Sequence, residues 1–200
     1  MKDWTGNSNS VFKTLGASNH TDEEREINDY YATDPIAAKL LLDLVDLNKN
    51  IWEPACGEGH LSKVFVDNGF NVKSSDLIDR GYGETGIDFL TYSNEESFFD
   101  GDIVTNPPYK YAKEFVEKSL QYIKPGNKVC MFLKVTFLEG KARRKFFDLN
   151  PIKTVFVSSS RITCAKNGDS KKMKESGALA YAWFIWEKGY KGETTLKFFN

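Results

Sequence analysis

Asn106, Pro107, Pro108 and Tyr109 form a short polar and aromatic tip that follows an apolar run in the middle of the chain. Two successive prolines have no N–H donors, so the chain can continue there neither as a helix nor as a hydrogen-bonded strand. The tip therefore presents a side-chain amide, backbone carbonyls and one ring. Asn106 and the Pro107 carbonyl can accept the two hydrogens of a planar NH₂ group, and Tyr109 can stack on its plane. Taken alone, the stretch fits a plain strand-ending turn equally well.

A second candidate site is the loop 53–59, Glu-Pro-Ala-Cys-Gly-Glu-Gly, which joins an apolar run to an amphipathic one. Gly57 and Gly59 allow the backbone to approach a ligand closely. The loop is not a phosphate-binding P-loop, because no Gly-Lys-Ser/Thr follows it. The carboxyl group of Glu53 favours a cationic ligand over a pyrophosphate.

Two acidic residues follow the loop. Asp76 lies about 20 residues after Gly57, the offset at which an acidic side chain binds ribose hydroxyls in nucleotide-binding βαβ units. A plain crossover with a surface aspartate is the alternative. Asp88 and Phe89 could bracket an adenine by a hydrogen bond and stacking, or Phe89 could belong to the core and Asp88 to a turn.

The elements that must position these residues alternate along the chain. Helices are predicted at 36–45, 61–67, 111–123 and 137–149, and strands before the glycine loop and at 71–75, 103–104, 128–135 and 152–157. This alternation predicts an α/β fold with a mostly parallel sheet. The runs at 178–186 and 194–199 predict a late antiparallel strand pair across a turn at 189–192. Because the carboxyl ends of parallel strands share one edge, the loop, Asp76 and the tip should meet there.

Length and composition limit the alternatives. The 200 residues, 40% of them hydrophobic, fit one domain with a substantial core. No apolar run approaches the ~18 residues of a membrane span, and the polar first ten residues do not form a signal peptide. Three distant cysteines, Cys56, Cys130 and Cys164, indicate reduced thiols in a cytoplasmic protein and no metal site. The net charge of −1 gives no general attraction to nucleic acid.

The predicted domain organisation is simple. Residues 1–29 form a polar arm, and residues 30–200 form one domain that opens with Thr33 or Asp34 as a helix N-cap before Pro35. The segment 158–175 interrupts the strand–helix rhythm and is basic. It is either a substrate-contacting loop or a solvated hairpin. Its cationic residues are Arg161, Lys166, Lys171, Lys172 and Lys174.

Together these motifs resemble the S-adenosylmethionine-dependent amino-methyltransferases. The strongest resemblance is to adenine-specific (N6) DNA methyltransferases with an Asn-Pro-Pro-Tyr motif, in the short form found in phages and prophages. It covers about residues 30–186 and includes the order of the motifs. It implies a Rossmann-like methyltransferase fold with helices on both faces of the sheet and late antiparallel strands. It also implies S-adenosyl-L-methionine as cofactor, no metal, and DNA whose target adenine is flipped out.

The resemblance also implies roles for individual residues. The target base would meet Asn106, Pro107, Pro108 and Tyr109, whose two acceptors would favour the pyramidal nitrogen of the transition state. Residues 33–35 would touch the methionine end of the cofactor, and Asp76 its ribose. The implied cofactor-binding residues are Thr33, Pro35, Glu53, Pro54, Ala55, Cys56, Gly57, Gly59, Asp76, Leu77, Asp88, Phe89 and Asn106.

Three other functions remain open at the level of sequence. Protein-glutamine methyltransferases share the Asn-Pro-Pro-Tyr motif, although the Glu-Pro-Ala-Cys-Gly loop and the lack of their usual N-terminal domain argue against them. RNA base methylation is the second, and a non-catalytic nucleic-acid-binding module with a relic cofactor fold is the third. The intact tip and loop argue against a relic. No segment is long enough for the usual target-recognition domain, so we expect a short or relaxed target, or help from a partner subunit.

Overall fold

The computed structural model describes residues 31–93, 98–160, 162, 164–166 and 180–199. Within them, nine strands form a seven-stranded sheet and a separate two-stranded ribbon. The strands are β1 (Tyr31–Thr33), β2 (Asn50–Glu53), β3 (Asn71–Ser74), β4 (Asp102–Thr105), β5 (Lys128–Lys134), β6 (Thr154–Ser158), β7 (Cys164–Lys166), β8 (Tyr181–Glu187) and β9 (Thr195–Phe199). Strands β1 and β7 form the antiparallel ribbon.

The large sheet has the order β3-β2-β4-β5-β8-β6-β9. Strand β2 is parallel to both β3 and β4, and β4 is parallel to β5. Strand β8 lies between β5 and β6 and is antiparallel to both. The predicted α/β fold, with a mostly parallel sheet and late antiparallel strands, is confirmed.

Helices cover both faces of this sheet. Helices α1 (Ile36–Leu44) and α2 (His60–Asp67) bury apolar side chains on one face, and α3 (Ala112–Tyr122) and α4 (Lys141–Leu149) do so on the other. The central strand β4 contributes Ile103 to one core and Val104 to the other, and both are fully buried. Burial on both faces is what a nearly continuous apolar run in a parallel strand predicts.

The predicted helix 137–149 is wrong in its first part. A short 3₁₀ helix, Val135–Leu138, is followed by a break, and α4 begins only at Lys141. Gly140 interrupts the helix because its φ of 110° lies in a region that glycine adopts readily and other residues avoid.

The predicted pairing of the last two strands is also wrong. Strand β6 lies between β8 and β9, and β9 pairs with β6 in parallel, with Thr154 opposite Thr195. The short connection at 189–192 indicates a hairpin locally. However, the edge of β6 that does not pair with β8 pairs with β9, so β8 and β9 lie on opposite sides of β6.

The remaining predictions on organisation have mixed outcomes. Helix α1 begins at Ile36, whose N–H donates to Asp34 Oδ1 at 2.9 Å, so Asp34 acts as the predicted capping residue. The arm 1–29 and most of the basic segment 158–175 lie outside the described residues. No helix among the described residues has the length and hydropathy needed to span a membrane.

Candidate functional site

The candidate residues gather at one edge of the sheet. Strand β2 ends at Glu53, β4 ends one residue before Asn106, and β5 ends at Lys134. Asp76 lies two residues beyond the end of β3. These four strands run in the same direction, so the structure brings the glycine loop, Asp76 and the Asn106 tip to a common carboxyl edge, as the sequence predicted.

The β1–β7 ribbon lies against the tip and fixes the Asn106 side chain. Asn106 Nδ2 donates to Thr33 Oγ1 at 2.8 Å and to the Tyr31 carbonyl at 3.3 Å. Cys164, which pairs with Thr33 in the ribbon, has its Sγ 3.9 Å from the same nitrogen. Both amide hydrogens therefore point toward β1, which fixes the orientation of the carboxamide.

The carbonyl oxygen of the same side chain has no such partner. Asn106 Oδ1 is buried, and no hydrogen bond to it exists among the described residues. A buried acceptor left without a donor costs about 1–3 kcal/mol. The site therefore holds an oriented acceptor that an N–H group of a ligand would satisfy.

Tyr109, three residues after Asn106, lies among other rings. Its ring centroid is 5.1 Å from that of Tyr31 and 6.3 Å from that of Tyr181, and Lys134 Nζ lies 4.3 Å above the ring. Burial raises the pKa of the Tyr109 hydroxyl well above its usual value, so the phenol is neutral. A base that stacks on Tyr109 must join or displace these neighbours, and its stacking stays a prediction.

The glycine loop is tied to the end of β3 by Asp76. Asp76 Oδ2 accepts a hydrogen bond from the Gly57 N–H at 2.8 Å, and Oδ1 accepts one from the Ile78 N–H at 2.9 Å. Gly57 has a φ of 55°, a conformation that side chains with a Cβ avoid. Asp76 thus supports the shape of the loop, and its remaining lone pairs stay available to ribose hydroxyls.

Gly59 has a different reason for being glycine than the one predicted. A Cβ there would collide with the ring of Tyr82, which packs directly over the loop. Lys63 Nζ lies 4.9 Å from the centroid of the same ring. Sequence reasoning missed Tyr82, although the three flanking glycines at 81, 83 and 86 signal a tightly turned loop.

Glu53 lies beneath the glycine loop and is only 2% exposed. Ser62 Oγ donates to its Oε2, and Ser62 and Ser74 share a hydrogen bond of 2.6 Å. Burial away from water raises the pKa of the Glu53 carboxyl to about 8, so the group is mostly protonated at neutral pH. In this arrangement Glu53 supports the loop from below.

Glu53 should make stability depend on pH. Its pKa of about 8 in the folded state lies above the ordinary value of 4.5, so the unfolded chain ionises first as pH rises. The free energy of unfolding should therefore fall between about pH 5 and 8, by up to ~1.4 kcal/mol per pH unit, and level off above that range. Glu53→Gln should remove this fall, as measured by urea unfolding at several pH values. The exposed Glu139→Gln is the control, and parallel curves for wild type and Glu53→Gln would exclude the assignment.

Asp88 and Phe89 have the surroundings expected for the second of the two roles considered for them, and their contact with an adenine stays a prediction. Phe89 is 2% exposed, with its ring edge-on to Trp52 at 5.2 Å and 5.1 Å from Phe115. Asp88 Oδ1 accepts a hydrogen bond from the Leu90 N–H at 2.9 Å, which is a turn interaction. Phe89 is therefore a core residue, and its burial does not support stacking on a ligand.

The other predicted site residues differ in their exposure, and some of them lie outside the described residues. Leu77, next to Asp76, is 53% exposed and open to a ligand, whereas Pro54 and Cys56 are buried. Burial raises the pKa of the Cys56 thiol to about 12, so it stays protonated. Arg161, Lys171, Lys172 and Lys174 lie outside the described residues, and Lys166 is described only as part of the β7 backbone.

Comparison with protein-family models and with curated protein sequences gives no match. Among solved structures, the chain is similar to a protein from Listeria monocytogenes assigned as a class I S-adenosylmethionine-dependent methyltransferase. The TM-score is 0.58 and the identity 17%, over 88% of this chain and 68% of that one.

Two further solved structures are similar. A modification subunit assigned to a type I restriction enzyme of Vibrio vulnificus has a TM-score of 0.58 and 12% identity, over 86% of this chain and 47% of that one. A protein of Pyrococcus horikoshii assigned as an RNA methyltransferase has a TM-score of 0.57 and 14% identity, over 92% and 99% of the chains. The chain thus spans about half the length of the restriction-enzyme subunit. At these identities the likeness shows the fold, which is the Rossmann-like fold of class I methyltransferases.

Proposed function

We propose that this protein transfers a methyl group from S-adenosyl-L-methionine to the exocyclic N6 amine of adenine in DNA. The observation that carries the proposal is the orientation of Asn106. Its Nδ2 is held by Thr33 and Tyr31, and its buried Oδ1 has no donor among the described residues. An acceptor held in this way fits an amine N–H better than a carbonyl or a phosphate, which have no hydrogen to donate.

The protein side of the reaction follows from this acceptor. An exocyclic amine is a weak nucleophile because its lone pair is delocalised into the ring. Asn106 Oδ1 and the Pro107 carbonyl accept its hydrogens most strongly as the nitrogen becomes pyramidal, so they stabilise the transition state more than the bound substrate. Holding the nitrogen in line with the methyl donor would let its lone pair form the N–C bond as the S–C bond breaks and a neutral thioether leaves. The methylated amine would be cationic and strongly acidic, so it would release its extra proton to water and no strong general base is needed.

The residues at the sheet edge fit the proposed cofactor. Gly57 has a positive φ that favours glycine, Asp76 offers carboxylate lone pairs, and Leu77 presents apolar surface. Thr33 and Pro35 lie at the start of α1 beside the tip. When bound, S-adenosyl-L-methionine supplies a methyl group on a positively charged sulfur. Glu53, which is buried and neutral, supports the glycine loop from beneath.

Two aromatic rings near the tip favour a purine base over a glutamine side chain. The ring of Tyr109, three residues after Asn106, packs with that of Tyr31, whose carbonyl accepts a hydrogen bond from Asn106, and aromatic surface suits a purine. The likeness to a restriction-enzyme modification subunit supports DNA and a partner subunit, and the likeness to an RNA methyltransferase keeps RNA as an alternative. Protein glutamine is the second candidate, because its amide presents the same NH₂ group to Asn106.

The decisive experiment identifies the methylated atom. The protein is incubated with methyl-labelled S-adenosyl-L-methionine and, separately, with DNA, RNA and a protein extract, and the products are digested and analysed by mass spectrometry. We expect N6-methyladenine in DNA. Label in N6-methyladenine of RNA or in N5-methylglutamine would replace DNA by that substrate, and no label in any arm would refute methyl transfer.

The basic segment 158–175 carries a separate prediction about DNA affinity. If Lys171, Lys172 and Lys174 contact phosphates, their triple replacement by Ala should weaken binding equally for all DNA sequences. It should also flatten the slope of log affinity against log salt by about 0.9 per lost contact. Titrations at several salt concentrations measure this slope, with cofactor affinity as the control. An unchanged slope would favour the alternative interpretation of the segment, a solvated hairpin that does not contact DNA.

A further inference from the structure

A lysine that has no role in the motifs above lies at the tip. Lys134 is the last residue of β5 and is half-buried. Its Nζ is 4.3 Å from the centroid of the Tyr109 ring and 5.4 Å from that of Tyr31. The structure thus holds an ammonium group against the ring of Tyr109, three residues after Asn106, and near the ring of Tyr31, whose carbonyl accepts a hydrogen bond from Asn106.

The position of this charge is set by the sheet. Lys134 pairs with Tyr181 across the β5–β8 ladder, and its neighbour Val135 donates its N–H to the Ala180 carbonyl at 2.9 Å. The backbone at this point is therefore anchored, while the long side chain reaches to the tip. Its charged end lies over the Tyr109 ring and near that of Tyr31, and half-buried lysines usually place their ammonium group in this way at the edge of apolar surface.

An ammonium group at this place favours one kind of substrate. It has three N–H donors and can add an anionic oxygen to the contacts it already makes. A nucleotide in a nucleic acid carries a phosphodiester on each side of its sugar, a short distance from the base. A glutamine in a peptide carries no such charge. Lys134 therefore distinguishes the two candidate substrates by charge.

We propose that Lys134 binds a phosphodiester next to the target nucleotide and thereby selects nucleic acid over protein. This inference rests on the proposed methyl transfer and narrows its substrate class. Lys134 acts on binding and orientation of the nucleotide, while Asn106 acts on the reacting nitrogen. Its contact with the Tyr109 ring alone would give it a purely structural role, and the test must separate this role from phosphate binding.

The first test compares Lys134→Ala, Lys134→Gln and Lys134→Arg with wild type on the methylated nucleic acid. We expect KM to rise about tenfold in the Ala and Gln variants with little change in kcat, and Arg to restore most of the loss. The slope of log affinity against log salt should flatten by about 0.9 for duplex DNA or about 0.7 for a single strand. A structural role predicts no change of slope, and calorimetry should show wild-type cofactor affinity in all variants.

The second test removes the phosphate charge instead of the lysine. Once the methylated base is mapped, each adjacent phosphodiester is replaced in turn by a neutral methylphosphonate, in DNA and RNA oligonucleotides separately. One replacement should weaken wild type about as much as Lys134→Ala does, and should cost the Ala variant almost nothing more. If the losses caused by the methylphosphonate and by Lys134→Ala add, or if the salt slope does not change, Lys134 does not bind that phosphodiester. The proposed methyl transfer would stand in either case. Methylation of protein alone would overturn the proposed substrate as well.

Discussion

Replacing Asn106 by Ala is expected to lower the rate of methyl transfer by at least about 10²-fold and to leave cofactor affinity within about twofold. Removing one preorganised hydrogen-bonding group from a transition state typically costs this much. Asn106 Oδ1 is buried and has no hydrogen-bond partner among the described residues, so the variant loses the contact proposed to form with the reacting amine. Single-turnover transfer and calorimetry with the cofactor measure the two quantities. Full turnover in Asn106→Ala would exclude the mechanism.

Two neighbouring threonines provide matched controls. Thr33 Oγ1 accepts the Asn106 amide at 2.8 Å, so Thr33→Val should leave the acceptor present but poorly oriented and give an intermediate loss, about tenfold. Thr105 precedes Asn106, and its buried Oγ1 has no partner among the described residues. Thr105→Val should therefore be close to neutral. Equal losses in both threonine variants would indicate general damage to the tip.

The sequence was sufficient to predict where the tip would lie but not how it is held. The run before Asn106 is apolar enough to identify a buried strand, and alternation of elements puts its carboxyl end beside the glycine loop. The hydrogen bond from Asn106 to Thr33 joins residues 73 positions apart and depends on the β1–β7 ribbon. Strand pairing across such a distance leaves no local pattern in the sequence. The orientation of the Asn106 amide could therefore be seen only in the structure.

The predictions that were wrong, and the alternative that the sequence left open at Phe89, have similar causes. Phe89 is apolar whether it stacks on a ligand or on Trp52, and only packing decides between them. The last strand, β9, follows a turn that suits a hairpin, but its partner β6 comes from another part of the chain. Gly140 lies within an amphipathic pattern that favours a helix, and its positive φ is invisible in that pattern. For Phe89 and β9 a tertiary contact decided between two structures that the local sequence permits, and at Gly140 the backbone conformation of one residue did so.

The other large expected effect concerns the glycine loop. Asp76→Ala should weaken cofactor binding by about 10- to 100-fold, because it removes the proposed ribose acceptor and the carboxylate that holds the Gly57 and Ile78 amides. Gly57→Val should have an effect at least as large. Valine avoids the φ of 55° found there, and its branched side chain would occupy space where backbone approaches the cofactor. Calorimetric titration with S-adenosyl-L-methionine measures both losses.

Two further aspartate variants separate the loop anchor from general damage. Asp76→Asn keeps the shape of the side chain, but an amide has one acceptor oxygen where two backbone N–H groups need one each. It should therefore lose nearly as much affinity as Asp76→Ala. Asp79 makes a comparable turn bond, from the Gly81 N–H to its Oδ1 at 2.9 Å, in the exposed part of the same loop. Asp79→Ala should bind the cofactor like wild type, and normal affinity in both Asp76 variants would refute the placement of the cofactor at this loop.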